Sequence, residues 1–546
     1  MRSRRWLPCF VLIGISTLFV PPSPLTAQDF MNDGPPIAVK TTYGPVEGQK
    51  IKDIEVFRGI PFAAPPVGPL RFRPPVAPTT WSQPLSAKVR TPACAQVLYY
   101  DPTENSNDVM SESCLTLNVW TPAADSKARP VMVFIHGGAL VGGSARNTWY
   151  DGTTLAKRGD VVVVTIQYRL GVLGFLELAK FGVADFAESG NVGYLDQVAA
   201  LQWVQQNIRN FGGDSKNVTI FGESAGGASV YAHMGNPRSA GLFQKSIIQS
   251  GVPGEFCTME DATAAAKKLL NAAGVTTAQQ LQELSMEQMM RLEDIAGEGT
   301  GCFVYDNAVF KKLPLDVIAA GEAPSVPLMI GSNLDEIRYW TAMDADPIVV
   351  HKTNDELVKE LTPLTGAGST HLVETYLKDY PTYYDALVTL AGDISFRIPS
   401  IRLAEVNSKR QPTFMYMLMY RSKTRGQTGL EYGSAHSMDL PFVFGVEYPD
   451  VLVVTGPKKE WGTLMEEMTS AWTNFARSGD PNGHDVPSWP RYDEQKRSTM
   501  EFRASQSKAV NDPYSAERQA WSGVSSNQIL DHLWLFARLL GSENAH

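Results

Sequence analysis

The β-branched run Val218-Thr219-Ile220 and Phe221 lead directly into Gly222-Glu223-Ser224-Ala225-Gly226, and few backbone paths accept that series. A short run rich in β-branched residues reads as a buried strand, and Gly227-Ala228-Ser229-Val230 opens a helix after it. A serine flanked two places away by glycines, between strand and helix, matches the G-x-S-x-G elbow. There the serine sits on a sharp turn that lifts its hydroxyl above the sheet. The glycines leave room for the strained turn and for close helix packing. Five residues recur by chance; the strand before them and the helix after them make the pattern informative.

Other apolar runs also end at turns. Val131 to Ile135 leads into His136-Gly137-Gly138, and Val326 to Ile330 into Gly331-Ser332-Asn333. Val161 to Ile166 reads as a buried strand, and Phe414 to Tyr420 precedes a polar, Gly-containing loop. Between them, Leu195, Val198, Leu201, Val204 and Ile208 recur at spacings of three and four, which predicts a one-faced amphipathic helix. Strand, turn and helix in alternation predict an α/β fold with a mostly parallel sheet covered on both faces. In such folds chemistry gathers at the carboxyl ends of the strands.

A serine hydroxyl is a weak nucleophile and needs a base to take its proton. In a fold built on this elbow the chain order is serine, then acid, then histidine. Among eight histidines, His136 and His233 come too early. His436 stands in the loop after the Phe414 strand, whereas His351, His371, His484, His532 and His546 lack a strand-end setting. The acid is expected at another strand end, where Leu334-Asp335-Glu336 offers two adjacent carboxylates; spacing leaves both open. The charge that develops on a tetrahedral intermediate needs backbone donors. The loop His136-Gly137-Gly138-Ala139 and the amide of Ala225 are placed to supply them.

The first 27 residues read as a secretory signal peptide: three early arginines, an apolar stretch from Trp6 to Val20, and a small residue before an Ala27-Gln28 cut. The remainder, 28–546, is expected to form one domain in a secreted or periplasmic protein. The net charge is −9, and losing Arg2, Arg4 and Arg5 with the leader makes the chain more acidic. Such a surface repels nucleic acid and anionic lipid, so neither is an expected partner. No later stretch is apolar and long enough to insert stably in a bilayer. Cys9 leaves with the leader; Cys94, Cys114, Cys257 and Cys302 remain, an even number in an exported chain. Closure between sequence neighbours favours Cys94–Cys114 and Cys257–Cys302 among three possible pairings. Their spacing fits no zinc pattern, and no dinucleotide, phosphate-loop or other cofactor motif appears.

With these motifs placed, the chain resembles the type-B carboxylesterase/lipase family, which includes the cholinesterases. The likeness runs nearly end to end: Phe57-Arg58-Gly59-Ile60-Pro61-Phe62-Ala63, Glu112-Ser113-Cys114-Leu115-Thr116-Leu117-Asn118, Phe211-Gly212-Gly213-Asp214, the Ser224 region, and Phe475-Ala476-Arg477-Ser478-Gly479-Asp480-Pro481-Asn482. The resemblance implies an α/β-hydrolase fold with helical insertions around an active-site gorge. It implies Ser224, Glu336 (rather than Asp335) and His436 as catalytic residues, and Gly138, Ala139 and Ala225 as oxyanion donors. Its first disulfide resembles Cys94–Cys114; its second usually closes a shorter loop than Cys257–Cys302. Five positions depart from the family pattern: Ala139-Leu140 for Gly-Phe, Ser113 for Asp, Ile337 for the Gly after the acid, and Ser437 for the Gly after His436.

The expected function is hydrolysis of a small-molecule carboxylic ester through an acyl-enzyme. The alternatives are an amidase or lipase specialism of the same site, or a non-catalytic binding or adhesion protein such as this family also contains. Leu530, Leu533, Phe536 and Leu540 form an apolar stripe on an expected C-terminal helix. It suits packing on the core or dimerisation, leaving monomer and homodimer both open.

Overall fold

Val131-Met132-Val133-Phe134-Ile135 has no polar position to turn toward water, so both faces of its strand must be covered. The computed structural model describes residues 36–531 apart from 98–109, 252–255, 297–299, 307, 324 and 344–352. Expectations for the leader and for His351, His532, Leu533, Phe536, Leu540 and His546 lie outside the described residues, as does the side chain of Leu530.

The strands are β1 (Ile37–Lys40), β2 (Pro45–Ile51), β3 (Ile54–Pro61), β4 (Leu85–Ser86), β5 (Thr116–Thr121), β6 (Arg129–Ile135) and β7 (Val162–Ile166). They continue with β8 (Gly213–Glu223), β9 (Lys245–Gln249), β10 (Leu328–Asn333), β11 (Thr413–Leu418), β12 (Ser498–Phe502) and β13 (Lys508–Asn511). All belong to one 13-stranded sheet in the order β1-β2-β3-β5-β7-β6-β8-β9-β10-β11-β12-β13, with β4 beside β2. From β7 to β12 every pairing is parallel. The N-terminal pairings along the sheet and the final one are antiparallel.

Successive side chains of a strand face opposite sides of the sheet, and this sheet uses both. Val131, Val133 and Ile135 join the apolar cluster that contains Ala225, Leu201 and Leu403. Met132 and Phe134 join the cluster on the other face, with Leu155, Met468 and Trp472. Helix Ala225–Met234 and helix Ile398–Ser408 cover the first face; Thr153–Gly159 and Leu464–Ser478 cover the second.

The helix expected from the Leu195 pattern is present at Val192–Asn207, but it is not one-faced. Twelve of its residues are buried, on nearly all sides. The polar positions that imitate a wet face are used internally. Arg169 donates to Asp196 through Nε (2.8 Å) and NH2 (2.7 Å), and Gln197 Nε2 donates to Ser229 Oγ at 3.0 Å.

Register brings the carboxyl ends of four strands level. Ile135 pairs with Gly222, Glu223 with Gln249, and Gln249 with Gly331. Whatever loops leave these residues meet at one edge of the sheet. Helices Met259–Ala273, Ala278–Gln282 and Met286–Ala296 are inserted between β9 and β10, and a longer helical series, Arg338 to Ser408, between β10 and β11. Disulfides join Cys94 to Cys114 and Cys257 to Cys302. Among the described residues no helix is long and apolar enough to cross a membrane.

Candidate active site

Ser224 follows β8 with φ 57° and ψ −128°, a conformation that costs a non-glycine residue about 1–3 kcal/mol. The surroundings hold it there. Its N–H donates to the Gln249 carbonyl at 2.9 Å, and helix Ala225–Met234 starts at the next residue. A Cβ at Gly222 would lie 2.3 Å from the Gly226 carbonyl, and one at Gly226 would lie 2.0 Å from the Ile135 carbonyl. Both glycines are therefore demanded by packing, as the motif predicts. Ser224 is half-buried while its neighbours on both sides are buried, so its hydroxyl is the part of the turn that a solute can reach.

The loop after β10 carries Asp335 and Glu336 to the same edge, and the loop 433–437 crosses it. Two backbone bonds hold the loops in register: Asp335 N–H to Ser434 O (2.9 Å) and His436 N–H to Glu336 O (3.0 Å). His436 Nδ1 lies 2.6 Å from Glu336 Oε2. The other oxygen of Glu336 accepts from Ser250 Oγ and from Asn333 N–H, each at 2.6 Å. Asp335 faces elsewhere: Arg421 donates to it through Nε and NH2, both at 2.8 Å, and Ser434 N–H adds a third bond at 3.0 Å.

His436 is 5 % exposed. Burial works against its charged form, but the carboxylates of Glu223 and Glu336 outweigh burial and push the imidazole up to about 9. Its Nε2 makes no hydrogen bond, to Ser224 or to any other described group. The nearest charged atom to Nε2 is Glu223 Oε1, at 3.1 Å. Since Glu223 immediately precedes Ser224, the imidazole stands at the elbow without a closed serine–histidine bond, a common state in the absence of substrate.

The glycine loop after β6 closes over the same turn. A Cβ on Gly137 would come within 2.7 Å of the Glu223 carbonyl and 3.0 Å of the Ser224 Cβ. Beyond it Gly138, Ala139 and Leu140 have φ of 111°, 53° and 58°, and the Gly138 carbonyl takes the amides of Val141 and Gly142. Among the described residues the amides of Gly138, Ala139 and Ala225 have no protein acceptor. The arrangement unites a reachable hydroxyl, a carboxylate-bound imidazole and free donors at a helix start, which suits attack on a carbonyl and stabilisation of the resulting oxyanion.

The sequence profile of the carboxylesterase family matches residues 35–521. This chain belongs to the carboxylesterase family. It is 36% identical over 499 residues to the para-nitrobenzyl esterase of Bacillus subtilis, a match covering 88% of this chain and 97% of that protein. It is 35% identical to human cocaine esterase, covering 81% and 83% of the two chains. A solved carboxylesterase of Geobacillus stearothermophilus superposes with a TM-score of 0.80 at 35% identity, over 89% of this chain and all of the other. The fold is that of the α/β-hydrolases, and the chain is a carboxylic ester hydrolase by family.

Several residues of this carboxylesterase site escaped the reading of the sequence. Glu223 is the variable second position of the elbow motif, yet it is 2 % exposed and burial pushes its carboxyl up to about 7. A charged residue at the end of a buried strand was the available signal. Trp340 stacks on the His436 ring at 4.9 Å and Phe396 lies against it at 4.8 Å. Phe396 sits in a π-turn, Asp393–Arg397, that no periodicity announces. Two histidines set aside by chain order are buried and structural. His136 stacks on Tyr168 at 4.5 Å, and His233 is bonded to Ser239 and Gln197; burial lowers them to about 4 and about 3.

Proposed function

We propose that this carboxylesterase hydrolyses a small-molecule ester through an acyl-enzyme, with Ser224 as nucleophile, His436 as base and then acid, and Glu336 as the partner of the imidazole. Ser224 Oγ bonds to the carbonyl carbon as its proton passes to His436 Nε2. The negative oxygen is met by the amides of Gly138, Ala139 and Ala225. Collapse breaks the ester bond, and His436 returns the proton to the departing alcohol. Water then attacks the acyl group by the same route, releasing the acid and restoring the serine. Glu336 holds the Nδ1–H, so that Nε2 is the free base, and stabilises the imidazolium.

The single observation that carries this reading is the 2.6 Å contact between Glu336 and His436, with Nε2 directed at the strained elbow of Ser224. Ser224→Ala is expected to lower p-nitrophenyl ester turnover by about 10⁴–10⁶-fold and to abolish labelling by a fluorophosphonate probe. Wild-type turnover in that variant would sink the assignment. Two disulfides support export to an oxidising compartment, which fits the secretory leader read from residues 1–27.

A further inference from the structure

Ser437 occupies a position where the family resemblance calls for glycine, and it pays for the difference in backbone conformation: its φ is 64°, a region that disfavours residues with a Cβ. Its side chain has one evident use. The hydroxyl donates to Glu223 Oε1 at 2.8 Å, and that same oxygen lies 3.1 Å from His436 Nε2. Among the described residues no other hydrogen bond reaches the Glu223 carboxylate.

We propose that Ser437 is a positioning residue whose hydroxyl holds the Glu223 carboxylate beside His436 Nε2 and thereby sets the pH below which the base is lost. The inference rests on the catalytic reading above. The charged groups around this pair are few. Glu223 is faced by His436, and more distantly by Asp439 and Glu336. Asp439 is itself held by Gln249 Nε2 at 2.9 Å and Tyr416 OH at 2.8 Å. Glu336 is held by Ser250, Asn333 and the far side of the imidazole.

The sign follows from these contacts. Burial favours the neutral acid of Glu223, and a hydroxyl donor favours its carboxylate. A carboxylate beside Nε2 favours the imidazolium, so it raises the pH at which His436 becomes a free base. Removing the Ser437 hydroxyl lets Glu223 take a proton more easily and weakens its hold on the imidazolium. The free base then survives to lower pH.

The experiment is the pH profile of kcat/KM on a p-nitrophenyl ester, with product read after quenching to one common pH. Ser437→Ala keeps the Cβ and its strained φ, whereas Ser437→Gly removes both; each lacks the hydroxyl. Both are expected to move the acid limb down by about half to one pH unit. Glu223→Gln is expected to move it in the same direction, and Ser437→Ala combined with Glu223→Gln no further than Glu223→Gln alone. An unmoved limb in both Ser437 variants, or full additivity in the pair, overturns the proposal. A shift in the glycine variant only would assign the effect to backbone strain and overturn it as well. Should Ser437→Ala fail to fold, the glycine variant carries the test, since it relieves the strain. An unmoved limb with an inactive Ser224→Ala would sink this inference and spare the catalytic reading; an active Ser224→Ala would sink that reading itself.

Discussion

Asp335 and Glu336 are adjacent, both buried, and both leave β10 toward the same edge of the sheet, yet their surroundings divide them. Asp335 meets the fork of Arg421, a cation that does not titrate in the accessible range, and a backbone amide. Glu336 meets a histidine whose other nitrogen has no hydrogen bond and stands by a strained, reachable serine. The two carboxylates are equally buried; the difference lies in what the partner can still do. A permanent cation with its carboxylate saturated holds two loops together. An imidazole retains one unused nitrogen, and with it a proton to move. Buried carboxylates become candidates for chemistry through the unspent capacity of the group they face.

The sharpest attack on this contrast is Glu336→Gln, which keeps the shape and removes the charge that holds Nδ1–H. It is expected to cost about 10³–10⁴-fold in kcat/KM with little change in the thermal midpoint. Asp335→Asn is expected to do the reverse. It loses charge-assisted bonds worth about 1–3 kcal/mol of stability, read by urea unfolding, while the folded fraction keeps near-parental kcat/KM. Equal losses of activity in the two variants would dissolve the distinction. The smallest effect is expected from Arg421→Lys. The charge is kept, the two-pronged contact is lost and the side chain is half exposed, so about 0.5–1 kcal/mol of stability should go. A loss as large as that of Asp335→Asn would mean that the fork itself, rather than the charge, anchors the corner.

Much of this was legible without coordinates. Apolar runs that end in glycine placed β6, β8 and β10, since strands covered on both faces cannot alternate, and the observed bounds differ only by a few residues. The elbow was legible because its motif is contiguous in sequence: a Cβ on Gly222 would strike the Gly226 carbonyl four residues on, although Gly226 itself answers the Ile135 carbonyl of β6. The Leu195 helix was found but misjudged, because Asp196 and Gln197 look like a wet face until Arg169 and Ser229 are brought against them.

What the chain determined alone was whatever depends on neighbours in sequence: strand periods, the sharp turn at Ser224, the order in which hydroxyl, carboxylates and imidazole occur. Spacing could not separate Asp335 from Glu336, nor reveal that Glu223, Ser437, Trp340 and Phe396 gather round His436. Those relations are long-range: Glu336 and His436 stand 100 positions apart, and Glu223 and Ser437 stand 214 apart. They are decided by sheet register, which levels Ile135, Glu223, Gln249 and Gly331 at one edge, and by packing that buries the carboxylates there. Burial and opposed charge set proton affinities, and neither exists until the chain has folded.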